Sequence, residues 1–122
     1  MSAKTKNLNL GNYGENIARN HLEDKGYKVL EQNRRNKRGE IDIICKYKKK
    51  LVFVEVKTRV GESLGRPEDA INFNKRRKLI NNALAYITFN KLEPDYRIDV
   101  ICVVLDSSGN IKRLNHYENI TL

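Results

Sequence analysis

A chain of 122 residues, 39% hydrophobic and 32% charged, holds material for one small core, which excludes a second ordinary domain and an intrinsically disordered chain. Lys and Arg total 24 against 15 Asp and Glu, and the net charge of +9 favours an anionic partner, nucleic acid ahead of an acidic membrane surface. The apolar runs 51–56 and 98–105 are too short to span a bilayer, no signal-like stretch follows the early lysines, and two cysteines with two scattered histidines lack zinc-ligand spacing. The expectation is a cytoplasmic protein with no membrane partner and with Cys45 and Cys102 buried and reduced.

Residues 1–9 read as a tail and 10–122 as a single domain. Between 10 and 25, Tyr13, Ile17, Ala18, His21 and Leu22 recur at helical spacing, and Gly26 falls where a left-handed cap is expected. Residues 28–32 suit a short strand, followed by a basic turn ending at Gly39. Residues 40–46 and 51–58 are β-branched strands joined by a charged hairpin at 48–50 and paired antiparallel. Pro67, with Glu68 and Asp69 at a positive dipole end, opens a helix to about residue 89 that buries Ile80, Ala83, Leu84 and Ile87. Pro94 breaks the chain, 97–105 is a buried strand, 107–110 a turn and 111–117 an edge strand. The order is helix, three strands, helix, two strands: an α/β fold around a mixed sheet.

The positive charge is clustered, in Arg34, Arg35, Lys37 and Arg38, in Lys48, Lys49 and Lys50, and in Lys75, Arg76, Arg77 and Lys78, with Arg59 between. These are the candidate phosphate contacts. Strand alternation puts Glu55 and Lys57 on one face and Val54 and Val56 on the other, and the Lys-rich hairpin brings Asp42 beside Glu55. Two converging carboxylates repel unless a cation sits between them, and Mg²⁺ or Mn²⁺ takes oxygen ligands while keeping waters that a phosphate can replace. Lys57 then orients water or offsets charge building on the phosphate. The bland alternative is an ion-paired, solvated sheet face. Against it stand the Ile, Val and Phe neighbours of both carboxylates, among which an unpaired charge is costly, and the basic clusters flanking both strands.

Asp42, twelve intervening residues and then Glu55-Val56-Lys57 resembles the PD-(D/E)xK nuclease signature. The chain is also similar to the YraN-type family of small bacterial proteins, itself similar to Holliday-junction resolvases. Gly11, Gly14-Glu15, Gly26-Tyr27, Asn33, Arg35, Gly39-Glu40-Ile41-Asp42, Phe53 to Lys57, Arg59, Gly65, Pro67, Lys75, Arg77, Ala83 and Arg97-x-Asp99-Val100 carry that likeness over nearly the whole chain. Two departures are visible: Arg34 stands where an aromatic residue is common, and Ile41 replaces the proline of the motif's first element.

The resemblance implies a restriction-endonuclease-like core and a metal-dependent nuclease acting on DNA, including branched DNA, in preference to RNA. It implies metal ligation by Asp42, Glu55 and the Val56 carbonyl, with Lys57 assisting. It places Glu15 at the metal cluster, against a plain helix-dipole role, and Lys75 at the scissile phosphate, against a surface role. It leaves open a homodimer and a protein partner in DNA processing. The other reading is a non-catalytic nucleic-acid-binding accessory; a basic RNA-associated structural protein would leave the carboxylates idle. Glu40 is expected to pair with an arginine, Asp99 with Arg97 or Arg59, and His21 and His116 to serve packing.

Overall fold

The computed structural model describes residues 3–121; Met1 and Ser2, part of the expected tail, and Leu122 lie outside the described residues. Helix α1 (Ala3–Asp24) leads into one sheet ordered β1 (Lys28–Asn36), β2 (Gly39–Tyr47), β3 (Lys50–Val60), β4 (Asp95–Leu105) and β5 (Ile111–Tyr117). The first three strands form an antiparallel meander, β3 and β4 run parallel, and β5 closes the far edge antiparallel. A parallel pair needs a crossover, made here by a 3-10 turn, Pro67–Ala70, and helix α2 (Phe73–Phe89). The fold is α/β with helices on both faces of a mixed sheet, consistent with a restriction-endonuclease-like core.

The pleat sorts the core into two layers. Ala18 and Leu22 of α1 pack on Ile43, Cys45, Val52, Val54, Ile101, Val103 and Leu105. Leu79, Ala83 and Tyr86 of α2 pack on Ile41, Ile44, Leu51, Phe53 and Ile98. Strand β4, covered on both faces, is a continuous apolar run from Val100 to Leu105 for that reason. Both cysteines are free and buried, and burial pushes each thiol up to about 12. Among the described residues no helix is long and apolar enough to cross a membrane.

Four local expectations are corrected. Helix α1 begins at Ala3 rather than near residue 10, and β1 extends through Asn36, taking Arg34 and Arg35 into a strand. The expected helix from 67 to 89 is broken at Ile71 and Asn72: Asn72 is extended and its side chain accepts the Lys75 N–H at 2.9 Å, capping α2 as a separate helix. The buried stripe of α2 is Leu79, Ala83 and Tyr86, with Leu84 43% exposed. Its phase is set by Tyr86 meeting Phe53 edge to face at 5.6 Å, not by the sum of apolar residues.

Asp99, fully buried, anchors the α1 side of the sheet. Its carboxylate binds Arg97 Nε at 3.0 Å, His116 Nε2 at 2.8 Å and the Asn119 N–H at 3.0 Å, and His116 Nδ1 lies 3.1 Å from His21 Nε2 on α1. Of the expected partners it is Arg97, not Arg59, that pairs with Asp99. The histidines, expected only to pack, form a hydrogen-bonded tie between α1 and β5. Burial pulls Asp99 upward, but the bonds from His116, Arg97 and Asn119 more than offset it and hold the carboxyl below its ordinary value. Burial, then the neighbouring His116, lowers His21 from 6.5.

Both shifts work against acid. The Asp99 contribution is present above its unfolded value and lost as pH falls through the folded one, and the fold disfavours charged His21 once pH drops below 6.5. Asp99→Asn should therefore cost about 3–5 kcal/mol in urea unfolding at neutral pH, because Arg97 keeps its charge among buried groups. It should also flatten the acid limb of the stability profile.

Candidate active site

Strands β2 and β3 keep register from Tyr47↔Lys50 to Ile43↔Val54, where the recorded pairing ends. Asp42 stands at the parting, and its Oδ2 accepts the Val56 N–H at 2.9 Å where a strand carbonyl would otherwise serve. On the other flank Asn33 falls between the pairs Gln32↔Ile43 and Arg34↔Ile41 with φ at 52°, the left-handed region that Asn tolerates better than most residues. The pleat is interrupted there: Ile44 and Ile41, three residues apart, both pack under α2, while Ile43 packs under α1. Side chains from both faces of the sheet meet at this gap.

Oxygens of Glu15, Glu40 and Asp42 lie within 4.8 Å of one another. The Asn33 amide, oriented to donate, reaches Glu15 Oε1 and Glu40 Oε1 at 2.8 Å each. Glu40 Oε2 also binds Arg35 Nε at 3.1 Å, the arginine pairing expected of it. Glu55, 5% exposed, stands against Asp42 and pairs through Oε2 with Lys75 Nζ at 2.8 Å. Burial first, and then Glu55, drives Asp42 well above the usual carboxylate range, against the pull of the Val56 N–H. Burial, then Glu40 and Glu55, raises Glu15 as well. Four carboxylates thus face one ammonium, one guanidinium and one amide. The donor set is oxygen only, which suits a hard cation such as Mg²⁺ or Mn²⁺.

Helix α1 delivers Glu15 by close approach. A Cβ on Gly14 would lie 1.8 Å from Thr58 Oγ1, so a side chain there would push the helix off β3. Lys57 lies half-buried two residues beyond Glu55 and forms no salt bridge among the described residues. Lys75, expected at the phosphate or on the surface, pairs with Glu55.

The basic residues divide by position. Arg34 and Arg35 end β1, Lys37 and Arg38 form the β1–β2 turn, and Arg35 touches the carboxylate cluster through Glu40. Lys75, Arg76, Arg77 and Lys78 lie in the opening turns of α2, with the Arg77 guanidinium 5.9 Å from the Phe73 ring centre. Arg59 is exposed near the end of β3. Lys48, Lys49 and Lys50 lie at the opposite end of β2, about 20 Å from Asp42 at ~3.3 Å per residue. The expectation of basic clusters flanking the site is corrected for that hairpin. The extended run of β2 from Asp42 to Tyr47 carries the hairpin away from the carboxylates.

Sequence reasoning missed the part Glu40 plays in the carboxylate cluster and the bridging role of Asn33. Asn33, a residue type that tolerates the left-handed region, standing between Gln32 and Arg34 was the available signal for a backbone irregularity.

The chain matches the model of the family described as "Uncharacterised protein family UPF0102" over residues 14–103. A UPF0102 protein of Caldanaerobacter subterraneus is 41% identical over 120 residues, 95% of this chain and 97% of the relative. Relatives from Thermodesulfovibrio yellowstonii and Clostridioides difficile are 43% identical over 112 residues and 45% over 114, each covering at least 92% of this chain and 95% of the relative.

The two glycines of α1 should respond oppositely to alanine. Gly14→Ala should destabilise by about 1–3 kcal/mol through overpacking on Thr58. Gly11, with nothing within 4 Å of an added Cβ, should gain about 0.5–1 kcal/mol as Gly11→Ala, both read by chemical denaturation.

Proposed function

The chain belongs to the UPF0102 family, whose description assigns no activity, and from its own site we propose a divalent-metal-dependent nuclease that hydrolyses phosphodiester bonds of DNA. The observation that carries this reading is the gathering of Glu15, Glu40 and Asp42 within 4.8 Å, with buried Glu55 beside them, at a break in the sheet. Ordinary packing gives no reason to collect four acids where burial and neighbouring carboxylates oppose the charge of Asp42 and Glu15.

Asp42 and Glu55 would hold the cation, with Glu15 and Glu40 at its margin. Val56 gives its N–H to Asp42, and in a strand the N–H and C=O of one residue leave by the same edge, so its carbonyl is the backbone oxygen on offer. A bound Mg²⁺ or Mn²⁺ supplies charge to the phosphate and acidity to water. The ammonium of Lys57, on the same strand face as Glu55, orients the attacking water and offsets charge on the phosphate oxygens. Lys75 holds Glu55 in place, and the basic β1–β2 hairpin and the start of α2 draw the backbone in from either side.

A second reading, a non-catalytic nucleic-acid-binding accessory, is favoured by the Lys75–Glu55 ion pair, which already neutralises one of the four acids. The Asp42→Asn variant separates the two. For a nuclease, metal at about a hundred times its Kd should stabilise the wild type by about 2.7 kcal/mol and the variant much less. Without metal the variant should melt higher than wild type, since the repulsion with Glu55 is relieved. Divalent-dependent cleavage across linear, single-stranded, flapped and four-way substrates should vanish in Asp42→Asn and in Lys57→Ala, while DNA affinity survives in Asp42→Asn. Tight DNA binding with neither metal stabilisation nor cleavage would leave the accessory reading standing.

A further inference from the structure

A hollow of ≈ 500 Å³ lies between the β1–β2 hairpin and the last turns of α2, lined by Arg34, Arg35, Lys37, Arg38, Tyr86 and Phe89 among others. A second, of ≈ 490 Å³, shares Arg38, Ala85 and Phe89 with it, so the two form one groove along the outer side of α2. Such volumes fall in the ~300–1,000 Å³ range of small-ligand sites. Phe89 is 75% exposed at the centre of the groove, although hydrophobic side chains of that size are usually covered.

The wall of the groove is held rigid. Arg34 lies over Tyr86 at 5.5 Å and over Phe89 at 6.0 Å from the ring centres. Glu31 fixes both partners, binding Arg34 Nη1 at 2.9 Å and Tyr86 Oη at 2.5 Å. Arg34 thus joins an aromatic surface supplied by α2. Lys37 and Arg38 form no salt bridge among the described residues, which leaves two cations at the rim of an apolar floor.

A planar apolar surface edged by free cations matches a nucleobase and its phosphates: every base has a face to stack, and the backbone brings the opposite charge. A base inside a duplex has both faces occupied by its neighbours, so away from a duplex end only an unpaired nucleotide can stack on Phe89. The geometry points to a subsite for an unpaired nucleotide of a DNA strand, stacked on Phe89 and Arg34 with its phosphates on Lys37 and Arg38. This inference rests on the nuclease reading and sharpens it. Arg35 lines the groove and also binds Glu40 of the carboxylate cluster, so a nucleotide seated there lies next to the candidate site. The implied substrate is DNA with a flap or overhang beside a duplex.

The test compares affinities for blunt and for flapped duplexes in Ca²⁺, which permits binding without cleavage, together with the fluorescence of 2-aminopurine placed in the flap. Phe89→Ala removes an exposed side chain and should fold as wild type does, checked by its melting curve. The flapped-to-blunt affinity ratio should fall about tenfold in Phe89→Ala, and in Arg34→Ala by a smaller factor. Wild type should quench the 2-aminopurine and Phe89→Ala should not. An unchanged ratio, or no quenching by wild type, overturns the subsite. A change in sedimentation of the DNA-free protein on Phe89→Ala, with the ratio unchanged, would assign the groove to a contact between two copies of the chain. Wild type that cleaves nothing but loses its flap preference in Phe89→Ala would sink the nuclease reading and leave the subsite intact.

Discussion

The hydrogen bond from the Val56 N–H to Asp42 Oδ2 is the constraint on which the rest of the site depends. A buried strand N–H must find an acceptor, and where β2 leaves β3 no backbone carbonyl takes that place. Asp42 fills it, and in doing so fixes one carboxylate oxygen at the mouth of the gap, with Glu55 against the same side chain. Charge then accumulates by consequence: Glu40 lies two residues before Asp42, Glu55 one residue before Val56, and Gly14 lets α1 bring Glu15 down onto the same place. Asn33 is the compensating element on the other flank, its left-handed backbone absorbing the irregularity and its amide holding two glutamates together.

That gap is tolerable because the remainder of the sheet is tied down. Strand β4 is buried on both faces, and Asp99 links it through Arg97, His116 and Asn119 to β5 and the C-terminal segment, and through His21 to α1. The two functions of buried charge are kept apart along the strands. Asp99 has a full set of donors and its carboxyl is pulled below the ordinary range; Asp42 has one donor and several acids around it, and is pushed above. A carboxylate supplied with donors serves as an anchor, whereas one crowded by other carboxylates is held against its own charge.

Much of this was legible in the sequence. The β-branched runs and the Lys-rich turn gave the β2–β3 hairpin, alternation gave Glu55 and Lys57 a common face, and the family resemblance led to UPF0102 as matched. What was not legible depends on backbone irregularity or long-range pairing. The left-handed Asn33 and the pleat interruption at Asp42 break the two-residue period on which strand reading rests. The Asn72 cap was masked by Pro67, a strong start signal a few residues earlier, and one start signal hid the other. Lys75 reads as one more member of a basic run until α2 docks it on Glu55, and the His21–His116 contact joins opposite ends of the chain. Lys48, Lys49 and Lys50 flank the strands in sequence, but the extended run of β2 from Asp42 to Tyr47 separates them from the carboxylates.

The net charge of +9 therefore does two different things. Close to the carboxylates, Arg35 of β1 pairs with Glu40 and Lys75 of α2 pairs with Glu55, and the N-terminal end of α2 adds the partial positive charge of its backbone. A polyanion crossing from one to the other passes over the acids, which repel it unless a cation is present. On the proposed nuclease reading, repulsion at the centre with attraction around it would make productive contact conditional on the metal, while the distant hairpin lysines would add only to a long-range field for a polyanion that weakens with salt. On that reading affinity and reaction would fall to separate groups of residues, and the acids that disfavour phosphate in the metal-free protein are the ones a bound cation would turn into its anchorage.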